Sequence, residues 1–474
     1  MPAAAGAEWV TDDHHLIAGH LRPGDVLGEW TLATHAHAAD VVGGYLWRPL
    51  TSSVYQLWAD AFGRTPPAFR VLSALMHLVN IALVASVSRR MGAGPRAAAI
   101  GALAFALHPL APDAVCWISD LSDVLAAFFL LLGLWVALGP GAPLRRTVAS
   151  ALLFGLALLS KEAALAWVAA LPGIALLLRG WRPALSHAGA LGLVALGHAR
   201  WHASIVGRFD RSALDLMRDG PFLQTWLDYL WWPIGMPVRA GYTHLVEPSA
   251  VGFSPAGTAV LLVLAGALAA SSRREADVAR PLAVGLGVWA VMVAPGGLAA
   301  SSFLNQAARY LYLPLAVATP AIVVAMQRLG ERLPAGRRWM TALVALTWTI
   351  AWTPRTVQRV GDWQSEPALY LAEHAAEPGN PFAGKELGRI LFAAGQDSVG
   401  IELWAAAVAA PPASRYVMDV QAARLDRAQA AASGGRTPRA LSCSDGFLEA
   451  EAEAGRVVDP SVHALRSRIA GSAP

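Results

Sequence analysis

Long apolar runs govern what this chain can become. Segments of roughly 15–22 residues, poor in charge, recur from about residue 68 to residue 354. Backbone in hydrocarbon must satisfy its own N–H and C=O groups, so such segments cross a bilayer only as helices or closed-barrel strands. Their Leu and Ala content, without period-two alternation, selects helices. The charged fraction, 15% of 474 residues, lies below the about 25% usual in soluble domains for the same reason. Spans are expected near 68–90, 96–110, 119–138, 146–160, 162–178, 183–202, 255–271, 281–298, 309–329 and 338–354. Residues 222–235, with Trp226, Trp231, Trp232 and Pro233, suit an interfacial or re-entrant helix or simply buried aromatics. The expected fold is an all-α polytopic membrane bundle of about ten visible spans.

Arginine sets the orientation. Alternate connectors carry Arg89, Arg90 and Arg96, then Arg145 and Arg146, then Arg179 and Arg182, then Arg273, Arg274 and Arg280, and finally Arg328, Arg332, Arg337 and Arg338. Residues 108–118 have no Lys or Arg, and the 160–162 turn has only Lys161. Basic residues flanking spans are retained in the cytoplasm, so the arginine-rich set is expected there. Residues 1–67, 108–118, 160–162, 203–254, 299–308 and the tail after 354 then lie outside, periplasmic to an inner membrane. The net charge of +4 is dispersed between spans rather than gathered on one face, which argues against nucleic acid as a partner. Cys116 and Cys443 make no disulfide framework. Residues 1–20 carry no apolar segment, so export of 1–67 leads us to expect a first membrane helix upstream of Met1.

The chain divides into an outer N-terminal loop, 1–67, a membrane domain, 68–354, and a periplasmic helical tail, 355–474. Residues 381–410 read as two amphipathic helices, with Phe382, Leu387, Leu391 and Phe392 on one and Ile401, Leu403, Trp404 and Val408 on the next. Such a pair is the unit of tetratricopeptide arrays; a plain helical cap fits as well.

Few residues offer chemistry. Asp12 and Asp13 stand together in the first outer segment, suited to a general base or a divalent cation, or simply solvated. Asp113, Asp120 and Asp123 lie before or at the head of a span, where the helix dipole welcomes a carboxylate and a cavity also would. Lys161 and Glu162 form a charged turn between apolar runs. The chain has only two lysines, Lys161 and Lys385, among 37 basic residues. Lys161 suits either a phosphate or an ion pair with Glu162. Arg309 and Tyr310 open a span on the outer side, where an arginine is no topology signal and its fork fits a lipid phosphate. His77 and Asn80 suit helix–helix hydrogen bonds.

The stretches Val10-Thr11-Asp12-Asp13-His14-His15-Leu16-Ile17, Trp47-Arg48-Pro49-Leu50-Thr51 and Leu75-Met76-His77-Leu78-Val79-Asn80 occur in order. They are followed by His108-Pro109 through Asp123, Leu159-Ser160-Lys161-Glu162-Ala163 and Ala308-Arg309-Tyr310-Leu311-Tyr312-Leu313-Pro314. Across roughly residues 10–320 the chain resembles the bacterial relatives of the transmembrane and tetratricopeptide-repeat O-mannosyltransferases, within the GT-C superfamily. It departs from that pattern at Ala308, where the family often has Glu, and at Asp120-Leu121-Ser122-Asp123, where it has Gly-Arg-x-Asp.

The resemblance implies a GT-C fold that moves a sugar, mannose by analogy, from a polyprenyl-phosphate donor to a hydroxyl of a protein or glycan acceptor. It implies Asp12 or Asp13 as the catalytic carboxylate. Arg48, Asp113, Asp123, Lys161, Glu162, Arg309 and Tyr310 are the expected substrate-binding residues. No cofactor is required by this scheme, though a divalent cation is compatible with it. The alternative expectation is a non-catalytic membrane scaffold that binds partners through its C-terminal helices.

Overall fold

The computed structural model describes residues 8–11, 13–14, 17, 24, 26, 30, 47–206, 217, 221–235, 244–245, 255–271, 276–303 and 305–409. Asp12, Arg273, Arg274, Cys443 and everything after 409 lie outside the described residues. The architecture is helical, with two-residue strands only at His244–Leu245 and Asn305–Gln306 among the described residues.

The helices are α1 (Pro49–Phe62), α2 (Pro66–Arg90), α3 (Pro95–Ala106), α4 (Pro112–Cys116), α5 (Leu121–Ala137) and α6 (Pro143–Ser160). They continue with α7 (Trp167–Arg179), α8 (Trp181–Val206), α9 (Phe222–Gly235), α10 (Pro255–Ser271), α11 (Ala279–Met292) and α12 (Ala294–Phe303). The last are α13 (Tyr312–Arg332), α14 (Met340–Asp362), α15 (Glu366–Ala376), α16 (Pro381–Ala393) and α17 (Asp397–Ala409). One-turn helices at Ile118–Asp120, Glu162–Ala166 and Ala308–Leu311 precede α5, α7 and α13. Within 1–67, residues 49–62 form α1 rather than loop.

Proline starts many of these helices. Pro49, Pro66, Pro95, Pro112 and Pro143 open α1, α2, α3, α4 and α6, where a missing N–H costs nothing and the fixed φ suits the first turn. Gly180 separates α7 from α8 at a φ of 90°, which a side chain would disfavour.

Six helical segments are long and apolar enough to cross a membrane: Pro66–Arg90, Ile118–Ala137, Pro143–Ser160, Glu162–Arg179, Ala279–Ala300 and Ala308–Arg332. Pro95–Ala106 and Pro255–Ser271 are shorter apolar helices. At the centre stands α5, apolar on every side. Leu121, Val124, Leu125, Ala127, Leu130, Leu131 and Leu134 are all buried, as a helix walled in by others requires. It packs on α2, α6 and α13.

Small residues let the helices approach closely, since apolar side chains gain little by leaving lipid for one another. A Cβ on Gly101 of α3 would overlap Val323, and one on Gly285 of α11 would sit 2.5 Å from Ile322 Cδ1. Thus α13 is gripped from two sides through glycine.

The chain forms two compact units. The membrane unit takes in residues 1–237, 251–302 and 306–366; the second takes in 238–250, 303–305 and 367–474. In the second, α16 and α17 form a tight pair: Trp404 Nε1 donates to the Lys385 carbonyl at 2.9 Å, and its ring meets Phe392 at 5.4 Å. Asn380 caps α16 by accepting from the Phe382 and Ala383 amides.

Gly101→Val should lower thermal stability in detergent by about 1–3 kcal/mol, the usual cost of overfilling a packed interface. Gly173→Ala, with nothing within 4 Å of its added carbon, should leave the unfolding temperature unchanged or raise it. Equal behaviour of the two variants would refute the close α3–α13 approach.

Candidate functional site

The charged residues gather at the N-terminal end of α5. Asp120 ends the Ile118–Asp120 turn and Asp123 lies in the first turn of α5, three residues on and so on the same face. Lys161 is carried by a chain break: after α6 ends at Ser160, its backbone is extended (φ −155°, ψ 126°) before the Glu162–Ala166 turn. That break sends the two neighbouring side chains apart. Lys161 Nζ lies 2.8 Å from Asp123 Oδ2, 3.2 Å from Asp120 Oδ1 and 3.5 Å from Ser122 Oγ. The Lys161, Asp120 and Asp123 side chains are only 8%, 3% and 3% exposed.

Glu162 points the other way and meets Arg48. The guanidinium donates from Nη2 and Nε to the two carboxylate oxygens at 2.6 and 2.9 Å, and from Nη1 to Ser122 Oγ at 3.2 Å. Ser122 therefore joins the Arg48–Glu162 pair to the buried Lys161 group. Thr51 Oγ1 donates to the Ser160 carbonyl at 3.1 Å, fixing α1 against the end of α6.

Arg309 and Tyr310 occupy the one-turn helix that precedes α13. Arg309 is buried; its Cζ lies 5.0 Å from the Trp117 ring centroid and 4.7 Å from that of Tyr310. Its Nη2 donates to the Tyr310 hydroxyl at 3.2 Å. The charge of Arg309 is felt at Asp120, so this guanidinium belongs to the same electrostatic group.

Asp13 arrives from the N-terminal segment. It is fully buried; Oδ1 accepts from the Ser119 amide at 2.8 Å and hydroxyl at 2.5 Å, and Oδ2 accepts from the Val10 amide at 3.2 Å. Thr11 in this turn has a φ of 53°, in the left-handed region that a β-branched residue rarely adopts. Burial pushes the Asp13 carboxyl up to about 7, against the lowering effect of the Ser119 and Val10 hydrogen bonds and of Arg70. Tyr55 donates to the Ile118 carbonyl beside it. Its phenol is held well above the ordinary value by burial first, then by Asp13 and Asp120.

Of the residues expected from sequence, Asp13, Arg48, Asp123, Lys161, Glu162, Arg309 and Tyr310 fall in this neighbourhood. Asp12 is outside the described residues. Asp113 is engaged elsewhere: its Oδ1 accepts from Arg359 Nε at 2.6 Å and Trp363 Nε1 at 2.7 Å. Trp363 in turn stacks on Trp117 at 5.9 Å, so Asp113 supports the wall behind Arg309. Ser119, Ser122 and Trp117 carry no signal of a site in the sequence, and Asp120, named beside Asp123 at the head of its span, is not among the expected substrate-binding residues. The three-residue spacing of Asp120 and Asp123 was the one visible sign.

Among the described residues no group of three or more His, Cys, Asp or Glu is placed to hold a metal ion. The Lys161 amine fills the space between Asp120 and Asp123 that a cation would need. A separate apolar groove of about 1010 Å³ runs beside α3, walled by Ile100, Phe105, Leu286, Ile322, Val344 and Trp348. Its ends are marked by His108 on one side and by Arg96 and Arg338 on the other. The His108 ring accepts at Nδ1 from the Leu110 amide and donates from Nε2 to the Pro233 carbonyl, each at 3.2 Å. Phe105 joins groove to site: its ring meets Tyr312 at 5.5 Å, and the Tyr312 hydroxyl bonds His77 at 2.8 Å and Asn80 at 3.1 Å.

Lys161→Met should cost about 3–5 kcal/mol in thermal unfolding, because two buried carboxylates lose their counter-charge. Lys161→Arg, which keeps the charge, should lose less; equal losses would show that packing rather than charge matters there. Comparison with protein-family models, curated proteins and solved structures returns no match to this chain, so the chemistry of the site rests on its own geometry.

Proposed function

We propose that the chain is a membrane glycosyltransferase that moves a sugar, mannose by the family resemblance, from a polyprenyl-phosphate donor to a hydroxyl of a protein or glycan acceptor. The observation that carries this reading is the cluster at one end of α5, with Lys161 between Asp120 and Asp123, Arg48 on Ser122, Asp13 on Ser119 and Arg309 over the Trp117 ring, from segments some 300 residues apart in the chain.

In this reading Asp13 removes the proton of the acceptor hydroxyl. The acceptor oxygen bonds to C1 of the sugar as the C1–O bond to the lipid phosphate breaks, inverting C1. The departing phosphate takes the bonding pair, and its growing charge is met by Arg309, held between Trp117 and Tyr310, with Arg48 and Lys161 behind it. A carboxyl poised at about 7 suits a base working near neutral pH. The apolar groove along α3 offers a place for the isoprenoid chain.

The remaining helices α3, α8, α10 and α14 complete a ten-span set in this reading. The arginine pattern assigns the Asp120 end of α5 to the periplasmic face of an inner membrane, with the tetratricopeptide-like tail on the same side.

The test is transfer of labelled mannose from a polyprenyl-phosphate donor by protein in nanodiscs. Asp13→Asn should lower kcat by about 10²–10⁴, the usual contribution of a general base. The wild-type rate should rise with pH through about 7 as Asp13 deprotonates. Undiminished turnover in Asp13→Asn would remove the assigned base. A wild-type protein that transfers no sugar yet retains a protein partner through residues 355–474 would favour the scaffold.

A further inference from the structure

The far end of α5 carries a second cluster of charge. Three helices each send one guanidinium to the carbonyls where α5 stops. Arg90, at the end of α2, donates to the Trp135 carbonyl and lies 3.5 Å over the Trp135 ring. Arg146, in the first turn of α6, donates to the Gly139 carbonyl at 2.7 Å. Arg179, the last residue of α7, donates to the Ala137 and Leu138 carbonyls at 2.7 and 2.5 Å. Gly139 is part of the arrangement, since a Cβ there would sit 2.6 Å from Arg90 Nη1.

These charges lie together, and no carboxylate among the described residues pairs with them. Arg179 feels both Arg146 and Arg90, and His187, 3.3 Å from Thr147 Oγ1, feels Arg146 and Arg179. The chain has no Asp or Glu between residues 61 and 112, 124 and 161, or 163 and 209, so the helices that build this end contribute no acid. Among the described residues none of the three arginines makes a salt bridge. The helix C-terminus itself supplies only about half a negative charge. Carbonyl capping accounts for one cation here; three over-compensate it.

We propose that this cluster binds the phosphodiester headgroup of an anionic phospholipid. A guanidinium has five N–H donors in a planar fork that matches phosphate oxygens, and each arginine here spends only one or two on carbonyls. Arg90 and Arg146 are half-buried and Arg179 is exposed, so the group opens to the outside of the bundle. With 17 residues, α5 is about 25 Å long. One end therefore lies near each surface of a hydrocarbon core of about 30 Å, at the depth of lipid phosphates. Exposed Leu144, Leu176, Trp181 and Leu185 flank the cluster and give acyl chains a surface to lie on. A free phosphate would use the arginines but not these side chains. The inference is independent of the glycosyl-transfer reading, which concerns the opposite end of α5.

The test is native mass spectrometry of the full chain in neutral detergent, titrated with phosphatidylglycerol, phosphatidylcholine and inorganic phosphate. Phosphatidylglycerol should bind saturably and displace phosphatidylcholine, and millimolar inorganic phosphate should not compete. Arg146→Gln and Arg179→Gln should each weaken phosphatidylglycerol binding by about fivefold, the usual effect of one basic residue at an anionic surface. Arg179→Lys, which keeps the charge but not the forked pair of carbonyl bonds, should lose less than Arg179→Gln. Equal retention of the two lipids by the wild type, or unchanged binding in the double glutamine variant, would overturn the site. Competition by inorganic phosphate would overturn the lipid assignment.

Discussion

The candidate site depends on one buried ammonium held between two carboxylates. Burying a charge unpaired is costly, and burying three together is tolerable only if geometry satisfies them mutually. Lys161 meets that condition through contacts to Asp120, Asp123 and Ser122. The consequence spreads outward. The α6 helix must stop at Ser160 so that the chain can extend and deliver the amine, and the following turn throws Glu162 toward Arg48. Arg48 then closes the circuit by donating to Ser122, whose hydroxyl also lies near Lys161. Few substitutions here are local, because each partner that is removed strands another.

A second layer supports Arg309. Its guanidinium lies against Trp117, Trp117 stacks on Trp363, and Trp363 donates to Asp113, which also holds Arg359. Arg359 sits near the end of α14, so that helix is tied into the wall of the site without touching its centre. Aromatic faces favour a cation by their quadrupole and fix it without neutralising it, as a carboxylate would. Asp113 does its work one step removed, by orienting Trp363.

The helical membrane architecture could be read from sequence because hydrocarbon leaves one solution for a long apolar run. The six helical segments long and apolar enough to cross a membrane follow directly from that constraint. The convergence of Asp13, Lys161 and Arg309 was legible only as a juxtaposition implied by ordered motifs; no local pattern encodes it. Asp113 shows the limit most plainly. Its place beside a span made it a binding candidate, but its partners lie some 250 residues away on α14, beyond any periodicity argument. Asp120 is visible at the head of its span, but there the helix dipole alone explains an Asp, so nothing local separates it from a capping residue. The arginines at the far end of α5 were visible as topology signals, and their separation by spans hid that three of them meet at one helix terminus.

The position of the apolar groove follows from the composition of α3. That helix has 12 residues, about 18 Å, too short to line a hydrocarbon core of about 30 Å from end to end. It is built from alanines, Gly101, Leu103 and Ile100 around a single bulky ring, Phe105, so it cannot fill the space beside α11, α13 and α14. Glycine at 101 and 285 draws α13 close to α3 and α11 at one level, while the small side chains leave room at others. The void is thus a product of helix length and side-chain size rather than of loose packing. Phe105 sits on the groove wall and on the Tyr312–Asn80 hydrogen-bond chain. Asn80 also donates to the Val124 carbonyl, next in sequence to Asp123, so a chain of contacts runs from the groove wall to the helix that carries the buried carboxylates.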